Sequence, residues 1–347
     1  MRKLRARAGL AAIGLTVASG CDRPSELPPG FEGWALDTLF QIGAESGVPP
    51  GAFEGIWDIE AAPDGRLAVL DLGGPVVHVF DDDGVYASSL DATGLEEGQL
   101  DRPSGIAWSA SGSLLVWDPG SSWISRFRVG GSIDFDIRWR AFAFGETGFC
   151  ASGDRTFISF WMDGLIIHEW GSEGPVQSFG TAPPVTGADR LGPELQEIAV
   201  EELTPSALLC VPGGVLDVSF VQSLVRLHDL DGVEIWSHVF DDFTAIEAYS
   251  DDGIGLGRAF DVEGGSHLLR SVVPWGSSMV LVQHEIRRRE IPSDGEVGVF
   301  ESRLVRLSDG VEVARTRELP LVLEARGSRL YLLAEEPYPR VTVAELR

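Results

Sequence analysis

Carboxylates, histidines and arginines are the residues of this chain that could do chemistry, and their spacing decides which kind. The six histidines, His78, His168, His228, His238, His267 and His284, stand singly. None has the close partner of a zinc motif, so only a site assembled from several segments could gather them. Asp81-Asp82-Asp83 runs into Gly84. A calcium loop of the EF-hand kind needs alternate carboxylates and a distal bidentate glutamate, so this triplet reads as a hairpin turn. Asp71 and Asp118 each close an apolar run, where a carboxylate accepts backbone N–H groups of the following turn or lines a channel mouth. Gly253 to Gly257 is glycine-rich, but no lysine follows to make a phosphate loop, and no Gly-x-Ser-x-Gly elbow is present. Arg287-Arg288-Arg289 is a basic run in an acidic chain. Its guanidinium groups suit carboxylates, phosphate or an acidic partner, which makes it the partner-binding candidate. The same arginines would also serve a solvated hairpin by pairing with Glu285 and Glu290.

The 347 residues carry a net charge of -26, which becomes -30 without Arg2, Lys3, Arg5 and Arg7. A field of that sign repels phosphate backbones, so nucleic acid is not expected as a partner. The four cations precede an apolar run, Ala8 to Val17, too short for a helix of about 20 residues to span a bilayer. Ala18-Ser19-Gly20-Cys21 follows, and the whole reads as a secretory signal. It resembles the bacterial lipoprotein kind. That resemblance implies cleavage after residue 20, a diacylglycerol on Cys21 and membrane attachment in the cell envelope, periplasmic or at the cell surface. Residues 21–33, polar and proline-rich, read as a tether.

Such residues need a frame to position them, and the frame is a repeat. Phe53 to Asp71 and Leu100 to Asp118 match at an offset of 47: Ile59 with Ile106, Gly65 with Gly112, Leu67 with Leu114, Val69 with Val116 and Asp71 with Asp118. Short strands repeating at this length make an array of four-stranded units. The hairpin rhythm continues to the C-terminus and gives six blades, so residues 34–347 are expected to form a six-bladed, all-β propeller. The last blade lacks a fourth strand. Trp34 to Ile42 supplies it, closing the ring with an N-terminal strand and removing open edges. Most tryptophans, Trp57 and Trp108 among them, fall in or beside strands and are expected in the core. Cys150 and Cys210 sit at similar points of adjacent blades, which are usually too far apart for the roughly 7 Å that a disulfide needs. Two buried thiols are expected there, with a disulfide as the other reading.

The units resemble those of six-bladed NHL-repeat propellers and related bacterial lipoproteins. The second copy carries Gly94, Gly98, Pro103, Gly105-Ile106-Ala107, Gly112, Val116-Trp117-Asp118 and Phe127. The likeness is specific over residues 40 to 130, and lacks the Asn-x-Arg step after the aspartate. Gluconolactonase-like propellers hold calcium with a glutamate, asparagines and an aspartate. This chain has no asparagine, so that pattern is not carried over. Gly232 to Trp236 is similar to a step of quinoprotein-type propellers, whose rings usually have eight blades. The leading expectation is a monomeric, lipid-anchored binding or scaffolding module with no cofactor and a protein or small-molecule ligand. Two long connections, Phe240 to Gly265 and Gln283 to Phe300, would carry its function. The alternative is a metal-dependent lyase or lactone hydrolase, with a divalent ion at the central channel.

Overall fold

Glycine turns between short apolar runs make each strand pair with its sequence neighbour. The structure, a computed structural model, describes residues 35–45, 52–74, 76–91, 93–142, 148–250, 255–259, 265–287 and 299–346. The chain opens with β1 (Leu36–Ile42). Blade 1 is β2 (Ile56–Ala61), β3 (Leu67–Asp71), β4 (Val76–Phe80) and β5 (Tyr86–Asp91). Blade 2 is β6 (Gly105–Trp108), β7 (Leu114–Asp118), β8 (Trp123–Val129) and β9 (Ile133–Arg140). Blade 3 is β10 (Phe149–Ser152), β11 (Arg155–Met162), β12 (Leu165–Gly171) and β13 (Gly174–Thr181). A 3-10 turn (Ala188–Arg190) and helix α1 (Pro193–Leu203) precede blade 4, which is β14 (Ser206–Val211), β15 (Gly214–Ser219), β16 (Val225–Asp229) and β17 (Glu234–His238). A small hairpin, β18 (Glu247–Tyr249) with β19 (Gly257–Ala259), leads to blade 5: β20 (Ser266–Trp275), β21 (Met279–Arg287), β22 (Val299–Arg306) and β23 (Glu312–Thr316). Blade 6 is β24 (Val322–Arg326), β25 (Arg329–Ala334), β26 (Arg340–Leu346) and β1.

The fold is therefore a six-bladed β-propeller, each blade an antiparallel sheet of four strands. β1 pairs with β26 from Leu36↔Leu346 to Ile42↔Val341, as the missing strand requires. The innermost strands β2, β6, β10, β14, β20 and β24 pack on one another in a closed ring and line the channel. Middle strands such as β3, β7 and β15 are buried along their whole length, because blades cover both of their faces. The first turns of blades 1 and 2 need their glycines, since Gly65 and Gly112 have φ of 96° and 77°. Six blades also set aside the eight-bladed quinoprotein likeness. Trp236 instead joins blade 4 to blade 5, its indole N–H donating to the Leu307 carbonyl at 2.7 Å.

Antiparallel order gives the ring two unlike faces. The turns between first and second strands and between third and fourth strands lie on one, the turn face. The connections between second and third strands and between blades lie on the other.

Cys150 and Cys210 are not free thiols. They form a disulfide joining β10 of blade 3 to β14 of blade 4, with Cα atoms 5.5 Å apart. The expectation of excessive distance fails because innermost strands are where neighbouring blades converge. Gly148 tightens that approach. Its N–H donates to the Ser206 carbonyl at 3.1 Å, and a Cβ there would lie 2.3 Å from the same oxygen.

Candidate binding face and channel

The interblade connections after blades 3 and 4 fold together. Val185, Ala188, Ala199, Leu203, Val221, Ile246 and Ala248 form a core separate from those between blades. Helix α1 enters it because Gly192-Pro193 starts the helix and Leu195, Ala199 and Leu203 recur every fourth residue on one face. Backbone bonds hold the parts together: the Ala248 N–H donates to the Thr186 carbonyl at 2.9 Å and the Ile246 N–H to Val221 at 3.3 Å. Arg190 pairs with Glu247, and Arg258 with Glu202. The result is a cap on the face opposite the turns. Sequence reasoning expected a loop from Phe240 to Gly265 and gave no helix after blade 3. The spacing of Leu195, Ala199 and Leu203 behind a Gly-Pro start was the available signal.

The segment leading into the cap, from Phe243 to Ile246, is seated on a buried polar cluster. Phe243 stacks on His267 with ring centroids 4.9 Å apart. The Thr244 N–H donates to His267 Nδ1 at 3.0 Å, and the His267 N–H donates to the Thr244 carbonyl at 2.8 Å. Arg303, fully buried, pairs with Glu301, Glu312 and Asp242. Burial raises the Glu301 carboxyl, but hydrogen bonds from His267 and Arg317 and the charges of Arg303 and Arg315 hold it well below the usual range. Burial, with the charges of Arg303 and His267, pushes His284 down to about 3, so it stays neutral. The cluster fixes the cap's root by charge-assisted bonds around the buried Glu301–Arg303 pair, with Asp242, Arg315 and Arg317 at its exposed edge.

The channel wall carries a second group that was not singled out from the sequence. Asp58 and Glu60 lie on β2 and Glu324 on β24, all half-buried. Asp58 accepts the Ile59 and Ile106 N–H groups, each at 2.9 Å, and so ties blade 1 to blade 2. Burial outweighs those bonds and raises Asp58 to about 6. Burial, then the charges of Glu324 and Asp58, raise Glu60 well above its ordinary value. Burial is also the main cause that lifts Glu324 to about 8, with Asp58 adding to it against Arg326. Like charges that share a poorly solvated wall retain protons, so near neutral pH Glu324 and Glu60 can donate hydrogen bonds while Asp58 stays an acceptor of the Ile59 and Ile106 N–H groups. The alternation Asp58-Ile59-Glu60 in an inner strand was the visible signal; Glu324 joins it only through ring closure.

The residues singled out from the sequence fall in different places. Asp71 accepts N–H bonds from Gly55 at 2.8 Å, Glu54 at 3.1 Å and Gly73 at 3.1 Å. Asp118 does the same for Asp101 at 2.7 Å and Arg102 at 2.9 Å. Both thus pin the connection that precedes their blade, as well as the turn that follows. Asp81 Oδ1 accepts from Asp83 and Val85 in a hairpin turn. His78 and His168 are buried in third strands, and burial lowers both. Among the described residues, no group of three or more His, Cys, Asp or Glu is arranged to hold a metal ion. Arg287 ends β21 and its Nε meets Glu285 at 3.0 Å. Arg288, Arg289 and Cys21 lie outside the described residues. Trp57 is not core: it is 46% exposed, with its indole N–H on the Ser104 carbonyl at 3.0 Å.

No family model and no curated protein matches the chain. Solved propellers match its fold at low identity. A protein from Bacteroides fragilis named as exported aligns with a TM-score of 0.59 at 10% identity, covering 90% of this chain and 95% of its own. A member of the DUF4221 family from Bacteroides vulgatus aligns with a TM-score of 0.58 at 8% identity over 90% of this chain and 98% of its own. Virginiamycin B lyase from Staphylococcus aureus aligns at 0.51 with 10% identity over 90% and 99%. At these identities the likeness is one of fold.

Proposed function

We propose that the chain is a propeller of the bacterial cell envelope, anchored by a lipid on Cys21, that binds a protein or small-molecule partner. The cap carries this reading. Its two insertions build their own core on one face of a rigid ring, and such added surfaces on a scaffold are where binding resides. The Cys150–Cys210 disulfide supports a location outside the reducing cytoplasm, as do the signal-like N-terminus and the structural likeness to a protein named as exported. Arg287 ends β21 on this same face, and Arg287 to Arg289 remain partner-contact candidates. The test is crosslinking in intact envelopes. The wild type should capture a discrete partner, the R287E/R288E/R289E variant should capture less, and a turn-face variant such as Asp154→Arg should capture as much. Equal capture by all three would overturn the reading.

A second reading, a metal-dependent lyase or lactone hydrolase, draws on the channel wall only for a general acid, since Glu60 and Glu324 are raised there and no described group of three is arranged as metal ligands. Metal analysis of residues 22–347 after dialysis against metal-free buffer tests it. One tightly held divalent ion per chain, lost in Glu324→Gln, would support the enzyme; no ion would return the channel to a structural role.

A further inference from the structure

The ring-closing strand determines which face meets the tether. β1 enters at Leu36 beside Leu346 and leaves at Ile42 beside Val341. The Leu36 end lies on the turn face. There Arg326 reaches the Ala61 and Pro63 carbonyls in the first turn of blade 1, and Arg329 reaches Asp82 in its second. The cap stands at the other end of the strands. It bonds to the connection between β15 and β16, through Ile246 to Val221 and Thr186 to Gln222. The 14 residues from Asp22 to Ala35 therefore meet the ring on the face the cap does not occupy.

We propose that the protein stands on its membrane with the turn face toward the bilayer and the cap face outward. The surface offered to partners is then α1 with the β18–β19 hairpin. This rests on the lipid anchor at Cys21 and adds its orientation. Fourteen residues reach at most about 50 Å. The seven residues of β1 span about 23 Å between the faces. Turning the cap to the bilayer would use about half the tether to round the ring, whereas the turn-face orientation uses none. The net charge of -30 on the mature chain is repelled by anionic headgroups within a Debye length, about 8 Å at physiological salt, so neither face is drawn flat onto the surface by charge.

The mature chain contains no lysine, which makes the test specific. Glu197→Lys places one amine on exposed α1, and Asp154→Lys places one in the exposed turn between β10 and β11. The full lipidated chain is reconstituted in vesicles of phosphatidylethanolamine and phosphatidylglycerol, with a donor dye on the amine and an acceptor dye on the headgroups. The parent chain, labelled only at any free N-terminal amine, sets the baseline. Energy transfer from position 154 should exceed that from position 197 by roughly twofold or more, for faces about 20 Å apart. Co-flotation with equal or greater transfer from 197 overturns the orientation alone. Failure of the wild type to float with vesicles, with no diacylglycerol mass on Cys21, overturns the anchor and the orientation with it.

Discussion

The turn face and the cap face are held together by different means. On the turn face one device recurs. Arg66, Arg155 and Arg329 stand at or just before the start of a second strand, and each reaches the third-to-fourth connection of the next blade. Arg66 donates to the Val129 carbonyl, Arg155 to Leu230, and Arg329 to Asp82. The last of these closes the ring. On the cap face little repeats beyond the aspartate ties of blades 1 and 2, and α1 and β18–β19 are held by a local core and the His267–Glu301–Arg303 cluster. A closed ring needs repetition on only one face to fix its blades. The other face is then free to carry elements that no other blade has.

The largest test of that contrast is the disulfide. Reducing Cys150–Cys210, or replacing both with serine, frees a closure between residues 60 apart and should cost about 4 kcal/mol of stability, read as a lower midpoint in thermal unfolding. Leu203→Ala should cost about 3 kcal/mol, but locally. Hydrogen exchange should then quicken in residues 185–203 and 246–249 while blades 1 and 2 keep their protection; uniform loss would show that the cap is not a separate unit.

The channel wall sharpens the comparison by pH. Glu324 is raised from 4.5 to about 8, so it holds its proton more tightly folded than unfolded. Its contribution is present at acid pH and is lost as pH rises from about 4.5 through 8. Glu324→Gln cannot ionise, so stability between pH 5 and pH 8 should fall less steeply than in wild type, by on the order of 2 kcal/mol. An unchanged slope in denaturant titrations would show that the carboxyl is ordinary. Trp57→Ala should have the smallest effect, under about 1 kcal/mol, because the ring is half exposed at the mouth of the channel.

What the sequence disclosed follows from the same division. The turn glycines, the strand-closing Asp71 and Asp118 and the completing strand at Leu36–Ile42 are local or periodic, so pattern alone revealed them. The cap was missed because α1 has helical spacing inside a chain read for strands. The disulfide was placed second to free thiols, and the Asp58–Glu60–Glu324 wall was missed, because both depend on distances across the ring. Glu324 reaches β2 only once the far end of the chain has returned to its start.

That return has a consequence in time. Leu36 must find Leu346 before blade 6 is complete, so the first strand to be made waits for the last. Until then β26 and the outer edge of the unfinished ring present unpaired backbone, and pairings this distant in sequence form slowly. A chain emerging N-terminus first would pass through a long-lived open horseshoe, exposed to joining edge to edge with another copy until its own first strand arrives.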